Sequence, residues 1–292
     1  MGFVLIFVAS FFENYGYKKI NTSTQRNFTT SIVYITSALI LFLIGTFTEL
    51  NFNFLDDKKF YILLFLESAV AYLYREIYYR NHAHYTLVNL FVFSTVYLMP
   101  IVAFFYDGIF SFEGSLRINY EGFYEAFVFS ITLMVLTFFY YRDKISSQEI
   151  NGIPILLLLL IFMLHSMYFA IKMIQSYNGF LLFSFIHLWI GFLFFLFALR
   201  VKENFSLSLE QTRKIWYIPL LWPFIFTFVI LGASMLAVEF VTNIKRIGQI
   251  LTAYYLDKRE NLTVFSLKDK IVIFLLIVVT IVFYLYKVSP LG

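Results

Sequence analysis

Residues 86–106 carry no Asp, Glu, Lys or Arg, and neither do residues 271–286. Uncharged apolar runs of this kind match the path of a helix through hydrocarbon, where a core of ~30 Å takes about 20 residues. An open sheet would leave backbone groups unpaired in lipid, so the runs are read as helices. The rest of the chain repeats the pattern. Of its 292 residues 61% are hydrophobic and 14% charged, against about 45–50% apolar and about 25% charged in soluble domains. A water-soluble globular fold is thereby excluded, and the chain reads as an all-α integral membrane protein.

Ten spans are expected, at residues 2–19, 28–48, 60–79, 84–106, 120–141, 152–174, 179–199, 215–237, 239–256 and 270–287. The first lacks a positively charged start and a small-residue cleavage site, so it reads as a span rather than a signal peptide. The connections are short, the longest being 107–121 and 200–214, and leave no room for a soluble domain. Chemistry must therefore lie within the bundle or at its edge.

Net charge is only +4, too weak and scattered for nucleic acid. Connections after odd-numbered spans hold 14 Lys and Arg, whereas those after even-numbered spans hold Lys58, Lys59, Arg117 and Lys172 alone. The positive-inside rule then places the odd connections in the cytoplasm and both termini outside. With no cysteine there is no disulfide, thiolate metal site or cysteine nucleophile. The aromatic share of 22% is read as burial in apolar helices, and abundance alone marks no site.

A weak duplication joins the two halves. Tyr15-Gly16-Tyr17-Lys18 resembles Phe169-Ala170-Ile171-Lys172, and Glu49-Leu50-Asn51-Phe52 resembles Lys202-Glu203-Asn204-Phe205, at offsets of 154 and 153 residues. Two five-helix halves, residues 1–145 and 146–292, follow. An odd helix count per half gives them opposite orientations, an inverted repeat.

Ten short-looped helices in two halves resemble the EamA-type permeases of the drug/metabolite transporter superfamily. Two stretches carry the resemblance. One runs from His84-Tyr85-Thr86-Leu87-Val88-Asn89 through Pro100 to Glu113-Gly114. The other is Val241-Thr242-Asn243-Ile244-Lys245-Arg246-Ile247-Gly248 followed by Asp257-Lys258-Arg259-Glu260. The first span has Phe12-Glu13-Asn14 where the family commonly has Trp-Gly. The resemblance implies secondary transport and cytoplasmic termini, against the charge count, and the orientation stays open between the two.

An ionisable group at mid-bilayer costs ~2.5–3.5 kcal/mol on insertion scales and usually faces the bundle interior. On that ground Glu13, Asn14, Glu67, His165, Lys245, Arg246 and Gln249 are the candidate substrate-binding residues. In the ninth span Thr242, Lys245, Gln249 and Thr252 recur at steps of three and four, with Arg246 one position round the helix. In the third, Glu67, Ala71, Tyr74 and Arg75 share a face, and in the sixth His165, Tyr168 and Lys172 do. Glu67 also reads as a partner for a cation on a neighbouring helix. Lys172, Glu239 and Arg75 read as snorkelling to the interface, and His187, near Trp189, as interfacial. Gly232, Ala233 and Ser234 read as close helix packing.

These features imply a secondary transporter in the plasma (bacterial inner) membrane, not an enzyme, with no cofactor and no metal. Expected partners are a small-molecule substrate and the lipid bilayer, with protons as a candidate coupling ion and a homodimer as a candidate assembly. No H-E-x-x-H, G-x-S-x-G, Walker or G-x-G-x-x-G motif occurs. His82 and His84, two apart, fall on different sides of a helix and do not make a metal pair. The alternative reading is a membrane-embedded enzyme for lipid or polyprenyl substrates, with His82, His84 and Asp107 near one interface.

Overall fold

The structure, a computed structural model, describes residues 1–21, 26–80, 153–236, 238–259 and 266–287, with single helical positions between 102 and 140. Apart from those positions the expected spans 84–106 and 120–141 lie outside the described residues, as do His82, His84, Pro100, Asp107 and Glu113. Among the described residues are nine α-helices, a short 3-10 turn at Asn53–Asp56, and no strand. The helices are α1 (Gly2–Asn21), α2 (Arg26–Thr46), α3 (Lys58–Arg80), α4 (Ile153–Ser176), α5 (Gly179–Arg200), α6 (Phe205–Lys214), α7 (Tyr217–Met235), α8 (Val238–Arg259) and α9 (Leu267–Lys287).

Eight of these follow the apolar runs to within a few residues. The ninth, α6, is a helix of 10 residues inside the stretch 200–214 that sequence reads as a connection. Its start is set by Asn204, whose side chain accepts from the Leu207 N–H at 3.2 Å, satisfying a backbone donor that the helix leaves open. Asn178 does the same for α5, accepting from Phe180 and Leu181.

Among the described residues three helices, α2, α5 and α7, are long and apolar enough to cross a membrane. That shows membrane-helix character, and it is coarser than ten spans. The difference has a physical reason in α1, α3 and α8, which are 20, 23 and 22 residues long. They are long enough to span but carry ionisable residues, such as Glu13, Glu67, Lys245 and Arg246. Polar groups are buried beside the apolar core, among them Ser10, Asn14, Ser37, Ser184, His187, Arg246 and Gln249, while Phe65, Leu188, Phe192 and Phe224 are exposed. An exterior rich in Phe and Leu suits a lipid surrounding.

The central packing is α2 against α5, antiparallel and in contact along most of their length. Its close approach comes from small residues: a Cβ on Gly191 would stand 3.2 Å from the Ile35 backbone N and 3.3 Å from the Ser31 carbonyl. Two hydroxyls bond across the seam, Ser31 Oγ to the Gly191 carbonyl at 2.7 Å and Ser184 Oγ to the Ala38 carbonyl at 2.8 Å. Ser31 and Ser184, like Ala38 and Gly191, are 153 residues apart, the offset that relates 49–52 to 202–205. Tyr34 and His187, also 153 apart, meet edge to face with ring centroids 4.9 Å apart.

Each end of the seam is latched. At one end the Glu203 carboxylate accepts from the Asn27 and Phe28 backbone N–H groups at 3.1 and 2.8 Å, and from Asn27 Nδ2 at 2.9 Å. A carboxylate there meets the positive end of the helix dipole. At the other end Asn178 Nδ2 donates to Thr48 Oγ1 and the Glu49 carbonyl. Beside it Tyr177 donates to Asp57 at 3.0 Å, and burial followed by that carboxylate pushes the phenol up from its ordinary range.

Around this seam α1 packs on α7 and α8, and α3 packs on α4 and α5. Gly248 lets α8 close on α1, since a Cβ there would fall 2.7 Å from the Ser10 Cβ. Gly232 does the same for α7, where a Cβ would fall 2.5 Å from Ile6 side-chain carbons, so this glycine serves close packing as the sequence suggests. Overpacking a tight site costs about 1–3 kcal/mol or more. Gly191→Leu is therefore expected to lower the unfolding temperature of the detergent-solubilised chain markedly, with Leu188→Ala on the outer face of α5 leaving it nearly unchanged. Equal unfolding temperatures for Gly191→Leu and the unaltered chain would contradict the seam.

Candidate functional site

The crossing of α1 and α8 at Gly248 fixes which side chains meet. One turn along α1 from Ser10 stand Glu13 and Asn14, and on α8 Lys245 and Gln249 flank the glycine. Lys245 Nζ lies 3.1 Å from Glu13 Oε2, and both side chains are largely shielded. Gln249 Nε2 reaches the same Glu13 oxygen at 3.4 Å, and Asn14 Nδ2 donates to the Gln249 backbone carbonyl at 2.7 Å. Arg246, 4% exposed, donates from Nη1 to Gln249 Oε1 at 2.6 Å and points Nη2 at the Met167 sulfur, 2.8 Å away.

Glu13, Lys245, Arg246 and Gln249 line one wall of a cavity of about 100 Å³. The facing wall comes from α3 and α4, with Glu67, Ala71, Tyr74, Ser166 and Met167. Glu67 lies within electrostatic reach of Lys245, Glu13 and Arg246. The far end is apolar and aromatic: Phe183, Ile186 and Ile190 of α5, Phe226 and Val229 of α7, and Tyr34 of α2. There His187 Nδ1 shares a hydrogen bond with Ser37 Oγ at 2.9 Å, and its ring stands edge-on to Phe226 at 4.1 Å.

Five of the seven sequence candidates therefore converge on the cavity: Glu13, Glu67, Lys245, Arg246 and Gln249. Asn14 stands behind it, fully buried, holding α8 in register. His165 does not line it; its half-buried ring packs against Tyr106 with centroids 4.9 Å apart. The lining of α4 is Met163, Ser166, Met167, Ala170, Ile171 and Ile174. The His165, Tyr168 and Lys172 stripe is rotated away from it, because adjacent residues lie about 100° apart round a helix.

His187, read from sequence as interfacial, is 1% exposed and lines the cavity. A signal for it was present, since Ser184, His187 and Gly191 recur at three- and four-residue steps in an otherwise apolar helix. Lys172, read as snorkelling, is buried, with its ammonium 5.8 Å from the Tyr168 ring centre. Nothing is described of the Arg75 and Glu239 side chains. Among the described residues no three His, Asp or Glu side chains gather as metal ligands would.

Chemically, the site is a set of two carboxylates and two cations placed mid-length in their helices, with an apolar compartment beside them. Such a site can hold a small polar solute by its charged ends and shelter its apolar part. No known protein family, curated protein or solved structure matches this chain.

Removing one member of a buried ion pair strands the other, at about 3–5 kcal/mol, whereas removing both is far milder. Glu13→Gln and Lys245→Met are each expected to lower the unfolding temperature more than the double variant does. Additive losses in the double variant would show that the pair contributes no coupling.

Proposed function

We propose that this chain is a secondary transporter of the drug/metabolite, EamA-like type, moving a small solute across the plasma (bacterial inner) membrane by alternating access. In this reading it has ten spans in two inverted five-helix repeats, 1–145 and 146–292, and protons are the candidate coupling ion. The observation that carries the reading is the Glu13, Glu67, Lys245 and Arg246 cluster around a cavity at mid-length of α1, α3, α4 and α8. Transporter sites lie near the bilayer midplane between repeats; an enzyme acting on lipid would gather its polar groups at one interface, open sideways.

The seam supports the repeat. Its two hydroxyl-to-carbonyl bonds exchange under one offset of 153 residues, as a two-fold relation between α2 and α5 requires. The same exchange turns the α1–α7 packing into the α4–α3 packing, and the α2–α7 packing into the α5–α3 packing. The end of the bundle that holds Glu203 also carries Lys18, Lys19, Arg26, Arg200, Lys202, Arg213 and Lys214, which favours that end as cytoplasmic.

A cavity of about 100 Å³ is smaller than the ~300–1,000 Å³ of drug-sized sites. The solute is accordingly small, and the helices part to admit it. A counterflow screen of labelled amino acids, amines and carboxylates in proteoliposomes tests the reading. Lys245→Ala and Arg246→Ala are expected to cut the flux of the transported solute at least tenfold in protein that still folds into the membrane. Undiminished flux in both folded variants would remove the site assignment.

A further inference from the structure

The short helix α6 has 10 residues, a length of roughly 15 Å, well short of the ~30 Å of a crossing. It joins the end of α5 to the start of α7 and so stays at the end of the bundle that holds Glu203. Its buried residues are Ser208 and Thr212, and Thr212 Oγ1 meets Thr29 Oγ1 of α2 at 3.3 Å. Leu209, Arg213 and Lys214 are exposed. The helix therefore turns small polar groups to the protein and presents leucine and cations outward, as suits a helix lying in a membrane interface.

An aromatic shelf continues from its end. Trp216, 63% exposed, stands edge-on to Tyr217 with ring centroids 6.4 Å apart, and the Tyr217 hydroxyl shares a hydrogen bond with that of Tyr15 of α1 at 3.4 Å. Lys19 Nζ lies 5.7 Å from the Tyr15 ring centre. Cations thus flank the shelf, Lys19 on one side and Arg213 and Lys214 on the other. Lys214 bridges Glu210 in the open at 2.9 Å, whereas Arg213 has no carboxylate partner among the described residues.

We propose that this cluster binds the headgroup of an anionic phospholipid, its negative charge met by Lys19, Arg213 and Lys214 and its upper acyl chain laid along Trp216. Trp and Tyr rings settle at headgroup level in a bilayer, and a guanidinium forks onto phosphate oxygens. An anionic leaflet attracts basic residues held near its surface. A zwitterionic phospholipid brings an ammonium that the three cations oppose, and an anionic one does not. The site is separate from the central cavity and depends on a membrane around the helices, not on transport.

To test this, the full chain is placed in nanodiscs of phosphatidylcholine mixed with phosphatidylglycerol, with brominated acyl chains on one lipid or the other. Bromine quenches tryptophan on contact, and the Trp216 contribution is the difference between the unaltered chain and Trp216→Phe. Phosphatidylglycerol is expected to be preferred at Trp216 by at least about fivefold, the weight of one basic residue near an anionic surface. Lys19→Gln combined with Arg213→Gln should remove most of that preference. Arg200→Gln combined with Lys202→Gln takes the same charge from the same end of the bundle, before the start of α6, and should leave it nearly intact. Equal quenching by the two lipids, a preference that survives the Lys19 and Arg213 substitutions, or one that the Arg200 and Lys202 substitutions erase equally overturns the assignment. Displacement of the quenching lipid by inorganic phosphate also overturns it, since the ligand would then be a soluble anion.

Discussion

A carboxylate surrounded by hydrocarbon needs a cation within reach, and the 3.1 Å pair of Glu13 with Lys245 is the contact on which the arrangement of α1 and α8 turns. It forms because Gly248 lets α8 approach Ser10 of α1 to a distance that excludes a side chain. Asn14 then bonds the backbone of α8 and sets its rotation. Rotation decides the rest. With Lys245 turned to Glu13, Gln249 falls one turn along on the same stripe, and Arg246, one position round, points at Met167 across the cavity. Small residues thus provide proximity, and polar groups provide register.

The α2–α5 seam works by different means. Its contacts are neutral: hydroxyl to carbonyl, ring edge to ring face, glycine to backbone. Neutral hydrogen bonds carry no desolvation penalty comparable to that of charge, and Ser and Gly allow two backbones to close together within a membrane. Charge enters only at the ends, where Glu203 caps the start of α2 from the far half of the chain. In the proposed transport cycle the seam is suited to be the fixed axis. The cavity walls on α3, α4 and α8 join across a small space that a rocking motion would open.

Much of this was legible in the sequence, for reasons that differ residue by residue. Helix positions followed from uncharged runs, since only helices satisfy their backbone in lipid. The α8 stripe was readable because Thr242, Lys245, Gln249 and Thr252 recur at helical spacing, with Arg246 one position round. The α4 stripe led elsewhere: periodicity places His165, Tyr168 and Lys172 together without saying which neighbour they face, and the cavity is lined by Ser166 and Met167 instead. His187 sat beside a Trp that suggested an interface, yet its own partner, Ser37, is 150 residues away. The Glu203 cap and the glycine approaches depend on helices distant in sequence, so no local pattern announces them. Composition alone marks α2, α5 and α7 among the described helices as able to cross a membrane, while α1, α3 and α8, which line or back the cavity, carry charges that lower their apolar character.

The absence of cysteine permits a direct test of whether water reaches the cavity through the bilayer's depth. Single cysteines would be placed on two faces of α3, Ala71→Cys in the cavity lining and Phe65→Cys on the outer face, where Phe65 is 70% exposed. In membrane vesicles of both orientations, a charged, membrane-impermeant thiol reagent is expected to modify Ala71→Cys from either side and to leave Phe65→Cys unmodified. An unreactive Ala71→Cys beside a readily modified Phe65→Cys would contradict a central aqueous cavity between these helices.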